Sequence, residues 1–203
     1  GELNMRSRAA FNFRPEDLTE VASICRKAGV KCYLTLNVIV YDEELERVEQ
    51  VLRDAKAAGV DAVIAGDFAV ITKARELGLS AHVTVQQNVS NIEAVRFFAT
   101  YADVVVLARE LKLEQIAAIA QKIREQGIVG PSGELLRLEI FIHGALCVAM
   151  SGRCHMSLAK YNTSANRGAC YQNCRRRYRV IDEHDGDEMV IDNHFVMSPR
   201  DIC

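Results

Sequence analysis

The sequence predicts an α/β protein, a (β/α) barrel of parallel strands present in part, followed by an irregular cysteine-rich segment. Three observations lead there. Helical and apolar strand-like segments alternate strictly from residue 16 to residue 143. Glycines stand at the helix-to-strand junctions. Polar residues gather at the C-terminal ends of successive strands, where barrel enzymes keep their chemistry.

The elements follow in order. "EDLTEVASICRKAG" reads as a helix that gives way to the strand "VKCYLTLNV". "EELERVEQVLRDAKAAG" leads to "VDAVIAGD", and "FAVITKARELG" to "LSAHVTVQQ". Gly29, Gly59 and Gly78 fall where a left-handed C-cap belongs, a conformation glycine adopts freely. "NIEAVRFFATYA" then reads as helix, "DVVVLARE" as strand, "KLEQIAAIAQKIREQG" as helix and "LRLEIFIHG" as strand. The strands are β-branched and almost continuously apolar, as in a parallel sheet covered on both faces. Alternation of this kind means βαβ units.

A barrel and a doubly wound open sheet both satisfy that pattern. No G-x-G-x-x-G follows a strand, which weakens the dinucleotide-binding version of the open sheet. The strand ends carry Asn37, Asp67, Gln86 and Gln87, Arg109 and Glu110, and His143. Some of these read equally well as caps of the following helices, but five polar strand ends together point to a site. Five strands do not close an eight-stranded barrel, so the first domain, residues 1–143, is expected to be part of one. After residue 144 the alternation stops. Residues 144–203 hold five of the seven cysteines, an arginine run and acidic turns, and "DEMVIDNHFVMS" is expected to form a short hairpin. The whole reads as a fragment of a longer protein, with the cysteine-rich segment at the mouth of the barrel.

The bulk numbers bound the partners. A net charge of −2 gives no global pull toward nucleic acid or membrane, so a basic site has to be local. No apolar run approaches the roughly 20 residues that span a bilayer, and "GELNMRSRAAFNF" lacks a secretory pattern. A reducing cytoplasmic setting is therefore expected, with no membrane partner. There disulfides are rare, and seven cysteines are an odd number for a disulfide framework.

Four of those seven, Cys147, Cys154, Cys170 and Cys174, lie within twenty-eight residues among glycines. Thiolates ligate both structural zinc and iron–sulfur clusters, and only Cys170/Cys174 has the short spacing of a zinc knuckle. Gly144, Gly152 and Gly168 each precede a cysteine closely and allow tight turns there. Cys25 and Cys32 sit among apolar neighbours and read as core residues. Along the last strand Glu139, Phe141 and His143 share one face, Ile140 and Ile142 the other. If the isoleucines face the helices, Glu139 lies inside the barrel, where a carboxylate must be paired or protonated. His143 reads as a general acid or base, as a hydrogen-bond partner of a metal ligand or as a structural histidine; Glu139, Arg109 and Gln87 are the other catalytic candidates. "CRRRYR" sets Arg175, Arg176, Arg177 and Arg179 around Tyr178, a pattern suited to phosphates and an unpaired base. Arg6, Arg8 and Arg109 are candidates for holding a small carboxylate bidentately. A charge run on a solvated face is the plainer reading. No H-E-x-x-H or G-x-S-x-G motif marks a peptidase.

The stretches "EIFIHGALCVAMSGRCHMS", "NRGACYQNCRRRY" and "MSPRDIC" closely resemble the signature of the collagenase-like peptidase family U32. "NMRSRAAFNF", "KCYLTLNVIV", "GVDAVIAGD", "HVTVQQNVSN" and "VVLAREL" resemble upstream pieces of the same family, in its usual order. The likeness covers essentially the whole chain and is nearest to the tRNA hydroxylation protein P branch. It implies a 4Fe–4S cluster on a C-x6-C-x15-C-x3-C pattern, which Cys147, Cys154, Cys170 and Cys174 match. Cys203 is the alternative fourth ligand, and structural zinc the alternative metal. The resemblance implies oxygen-independent hydroxylation of the wobble uridine of tRNA to 5-hydroxyuridine, with prephenate as hydroxyl donor, and names no redox partner. A peptidase of the same family and a non-catalytic iron–sulfur scaffold are the other two classes it allows.

Overall fold

The structure is a computed structural model that describes residues 3–8, 12–144, 146–176, 178, 180–186 and 188–189. Five helix–strand pairs come first: α1 (Leu18–Lys27), β1 (Tyr33–Leu36), α2 (Leu45–Ala58), β2 (Ala62–Ala65), α3 (Phe68–Glu76), β3 (Ser80–Val83), α4 (Ile92–Ala99), β4 (Val104–Val106), α5 (Leu113–Gln126) and β5 (Arg137–Glu139). The expected helix ends are where the glycines put them. Gly59 closes α2 at φ 77°, and Gly29 and Gly78 also take positive φ after α1 and α3. Asp67 caps α3, its carboxylate accepting from the Ala69 amide at 2.9 Å.

The strands are parallel and run β1-β2-β3-β4-β5 across the sheet, in the order of the chain. A doubly wound sheet reverses that order at a switch point and places helices on both faces. Here Leu36, Ala65, Val83, Val105 and Leu138 form one row across all five strands, and all belong to one apolar core. Helix residues Val48, Leu52, Ile71, Val95, Phe98, Ile119 and Ile123 pack into that same core. Sequential order with helices against one face is consistent with a partial (β/α) barrel.

The other face departs from the expectation of uniform apolarity. Its cross-strand row is Thr35, Ile64, His82, Val104 and Arg137. His82 and Val104 are buried, whereas Arg137 and Glu139 on the edge strand are exposed. Leu138 and Ile140 do pack toward the helices, so the alternation was read in the right register. β5 ends at Glu139, however, and Ile142 is 78% exposed rather than packed. Glu139 consequently meets water, and burial does not force a partner on it.

The cysteine-rich segment is less irregular than its composition suggests. It contains α6 (Met156–Tyr161) and single 3₁₀ turns at Met150–Gly152, Ala165–Arg167 and Asn173–Arg175. β6 (Val180–Ile181) and β7 (Glu188–Met189) then pair antiparallel. The expected hairpin over 187–198 lies mostly outside the described residues. Its residues Glu188 and Met189 form the second strand of a hairpin that begins earlier. Among the described residues no helix is long and apolar enough to cross a membrane.

Leu52 on α2 is fully buried in the shared core. Leu52→Ala should lower the unfolding free energy by about 2–5 kcal/mol, measured by chemical denaturation. A loss below about 1 kcal/mol would mean that α2 is not packed on the sheet as described.

Candidate functional site

Three pieces of chain meet beyond the C-terminal ends of β1 and β3: residues 3–8, the loops after those strands, and the cysteine-rich segment. Asn37, just past β1, accepts from the Met5 amide at 3.0 Å. The Ser7 hydroxyl donates to the Gly168 carbonyl at 3.1 Å, and the Arg8 amide donates to the same oxygen at 3.4 Å. Gly168 sits at φ +88°, and a Cβ there would lie 2.8 Å from the Asn4 carbonyl, so only glycine permits this approach. Asn88 donates from its side-chain amide to Met150 Sδ at 3.2 Å.

The firmest link is Arg167. Its Nη1 and Nη2 fork onto the two carboxylate oxygens of Glu44 at 2.5 and 2.7 Å. Nη1 also donates to the Ile39 carbonyl at 2.5 Å, and the guanidinium lies 4.1 Å from the centre of the Tyr41 ring. Next to it, the Asn166 carbonyl accepts from the Ile39 amide at 3.1 Å. The Arg167 hydrogen bonds hold the Glu44 carboxyl down to about 2, with the Tyr41 amide helping and partial burial opposing.

Asn166 also reaches the cysteines: its side-chain oxygen accepts from the Cys154 amide at 3.3 Å. Cys154 Sγ accepts from the Met156 amide at 3.4 Å at the start of α6. Cys174 lies in the Asn173–Arg175 turn, and Arg175 donates to the Leu146 carbonyl, beside Cys147, at 3.5 Å. All four candidate thiols are half-buried. Burial pushes the Cys174 thiol up; Arg175 opposes this, while Cys147, Cys170 and Cys154 push it further up. Cys147, Cys154 and Cys170 thus lie within electrostatic reach of Cys174. Among the described residues no three His, Cys, Asp or Glu side chains converge as a single metal ion requires. Cys203 lies outside the described residues.

The remaining sequence candidates divide. Gln87 donates to the Gly66 carbonyl and so ties the loops after β2 and β3 together. Arg109 lies over the Phe141 ring at 5.4 Å, next to the strand that carries Glu139. His143 and Glu139 are both exposed. Arg6 is exposed, and Arg8 donates to the Tyr171 hydroxyl at 3.4 Å. Tyr178 is half-buried, and its hydroxyl donates to the Asn173 carbonyl at 2.7 Å. Arg177 and Arg179 lie outside the described residues.

Sequence reasoning missed Glu44 and Arg167, since nothing local marks a pair 123 residues apart. His82, on β3, is only 4% exposed and has an Nδ1 without a partner. Burial first, then Arg137, holds that imidazole below its ordinary pKa, so it is neutral near pH 7. Cys25 and Cys32 are core residues as expected.

An α/β scaffold with a four-cysteine segment at the ends of its strands has known relatives. The family model of peptidase family U32 matches residues 1–203, and the chain belongs to that family. It is 50% identical over 200 residues to a collagenase of Porphyromonas gingivalis, covering 98% of this chain and 48% of the relative. It is 37% identical over 172 residues to the 23S rRNA 5-hydroxycytidine synthase of Escherichia coli, covering 83% of this chain and 24% of that one. It is 32% identical over 208 residues to tRNA hydroxylation protein P1 of Bacillus subtilis, covering 99% and 46%. The chain thus spans half or less of each relative's length. No solved structure matches it.

Glu44→Gln tests the anchor. A carboxyl held at about 2 instead of 4.5 stabilises the fold above pH 4.5, and that contribution is lost as pH falls toward 2. Wild type should exceed the variant by about 1–3 kcal/mol near pH 6, in the range for a charge-assisted bidentate pair. The two should converge near pH 2. A constant difference across that range would mean that the carboxylate is not the stabilising species.

Proposed function

We propose that this protein is an iron–sulfur RNA-modifying enzyme that hydroxylates the wobble uridine of tRNA to 5-hydroxyuridine without oxygen. The observation that carries the reading is the set of four neighbouring thiols on a segment anchored beside the strand ends. Cysteine thiolates are the ligands of iron–sulfur clusters, and Cys147, Cys154, Cys170 and Cys174 would hold one. Such a cluster supplies one-electron chemistry when bound.

The chain's own residues would position substrate around it. Arg6 and Arg109 are suited to a small carboxylate donor such as prephenate, as guanidinium forks bind carboxylates bidentately. Glu139 and His143 are the candidates for moving a proton at the acceptor base, both being accessible to it. Relatives named for tRNA and rRNA hydroxylation support RNA as the substrate. The collagenase relative, at 50% identity, favours a second reading as a peptidase. A segment over residues 140–181 with seven cations and no carboxylate favours RNA over peptide.

Nucleoside mass spectrometry of tRNA from cells lacking the gene should show 5-hydroxyuridine replaced by uridine. Unchanged nucleosides together with gelatin cleavage by the purified full-length protein would establish the peptidase reading instead. Cys154→Ser should remove most of the bound iron, since a lost thiolate leaves an iron site open. Full iron content in that variant would refute the ligand assignment. Glu139→Gln and His143→Gln should keep the iron and lose about 10²–10⁴-fold in turnover. Wild-type turnover in both would remove them from the chemistry.

A further inference from the structure

Residues 140–181 contain no Asp or Glu. They contain six arginines and one lysine, a formal +7, whereas the rest of a chain totalling −2 carries −9. The local basic site that a nearly neutral protein would need is therefore this segment. Of its cations, Arg167 is held by Glu44. Others surround a pair of aromatic rings.

Tyr161, at the end of α6, and Tyr171, directly after Cys170, have ring centres 4.9 Å apart at 46°. Arg176 lies 5.4 Å and Lys160 5.9 Å from the centre of the Tyr161 ring. Arg8 comes across from the N-terminal segment to the Tyr171 hydroxyl. The pair is built into the fold: the Tyr171 amide donates to the buried Ser157 hydroxyl at 3.1 Å, and Asn173 donates to the Met156 carbonyl at 3.3 Å. Tyr171 nevertheless keeps 40% of its surface exposed. A fixed, exposed aromatic, paired with a second ring that carries two cations and touched by a third at its hydroxyl, suits stacking of an unpaired base with the flanking phosphates held nearby. A proline-rich peptide also stacks on tyrosine, but it makes no demand for a segment free of carboxylates. Phosphate does.

We propose that Tyr171, backed by Tyr161, is the platform on which an unpaired base of the RNA stacks beside the cysteine segment, with Arg8 and Arg176 taking the adjacent phosphates. This rests on the RNA reading above and moves the base contact from Tyr178 to Tyr171. The position next to Cys170 holds the stacked nucleotide close to the candidate cluster.

The test compares binding of the full-length protein to an RNA hairpin with an unpaired loop and to the same RNA fully duplexed. Wild type should prefer the loop. Tyr171→Ala should weaken loop binding by about 5- to 150-fold, as for one lost base stack, and leave duplex binding unchanged. Tyr171→Phe should retain the preference, and Tyr171→Leu, which keeps the bulk, should lose it as alanine does. Arg176→Gln should flatten the salt dependence of loop binding by roughly 0.7 in log–log slope. Undiminished loop preference in Tyr171→Ala and Tyr171→Leu would overturn the platform alone. Failure of wild type to bind either RNA would overturn the RNA reading itself. Tighter binding of a proline-rich collagen peptide, lost in the same variants, would assign the rings to a peptide and overturn the proposal.

Discussion

The arrangement hangs on the fork between Arg167 and Glu44. The segment from 146 to 176 has few buried apolar side chains of its own; among them are Ala165 and Ala169. Hydrophobic burial therefore holds it only weakly against the sheet, and directed polar contacts do most of the docking. A planar guanidinium bound to both carboxylate oxygens, resting on the Tyr41 ring and capping the Ile39 carbonyl, fixes position and orientation together. Arg167 lies between Cys154 and Cys170 in the chain, so fixing it constrains cysteines on both sides. Asn166 carries that constraint one step further, joining the Ile39 amide to the Cys154 amide.

Close backbone approach supplies the second constraint. Gly168 lets residues 4–8 pass against the turn that precedes Cys170, which brings Arg8 within reach of Tyr171. The division of charge then acts over a longer range. An acidic body and a basic segment attract one another.

The repeating core was legible because its signals are local. Helix periodicity, glycine C-caps and β-branched runs each report on a few neighbouring residues, and tertiary packing agreed with all of them. Asp67 was legible too, as a cap. The last strand shows the limit. Its alternation gave the correct face for Ile140, but pairing to β4 ends at Glu139, and Ile142 falls beyond it. Tyr178 looked like a stacking residue because arginines flank it in sequence. In the fold its hydroxyl is bound to its own loop and its side chain is half-buried, whereas Tyr171, with fewer charged neighbours in sequence, is 40% exposed. Glu44 and Arg167 carried no signal, because a pair so distant in sequence is defined only by the fold.

The claim on which the rest turns is that the four thiols hold an iron–sulfur cluster and not a single ion. Iron, zinc and acid-labile sulfide counted per chain in anaerobically purified full-length protein test it directly. The account predicts about four iron and four sulfide with little zinc. One zinc per chain with no sulfide would contradict it.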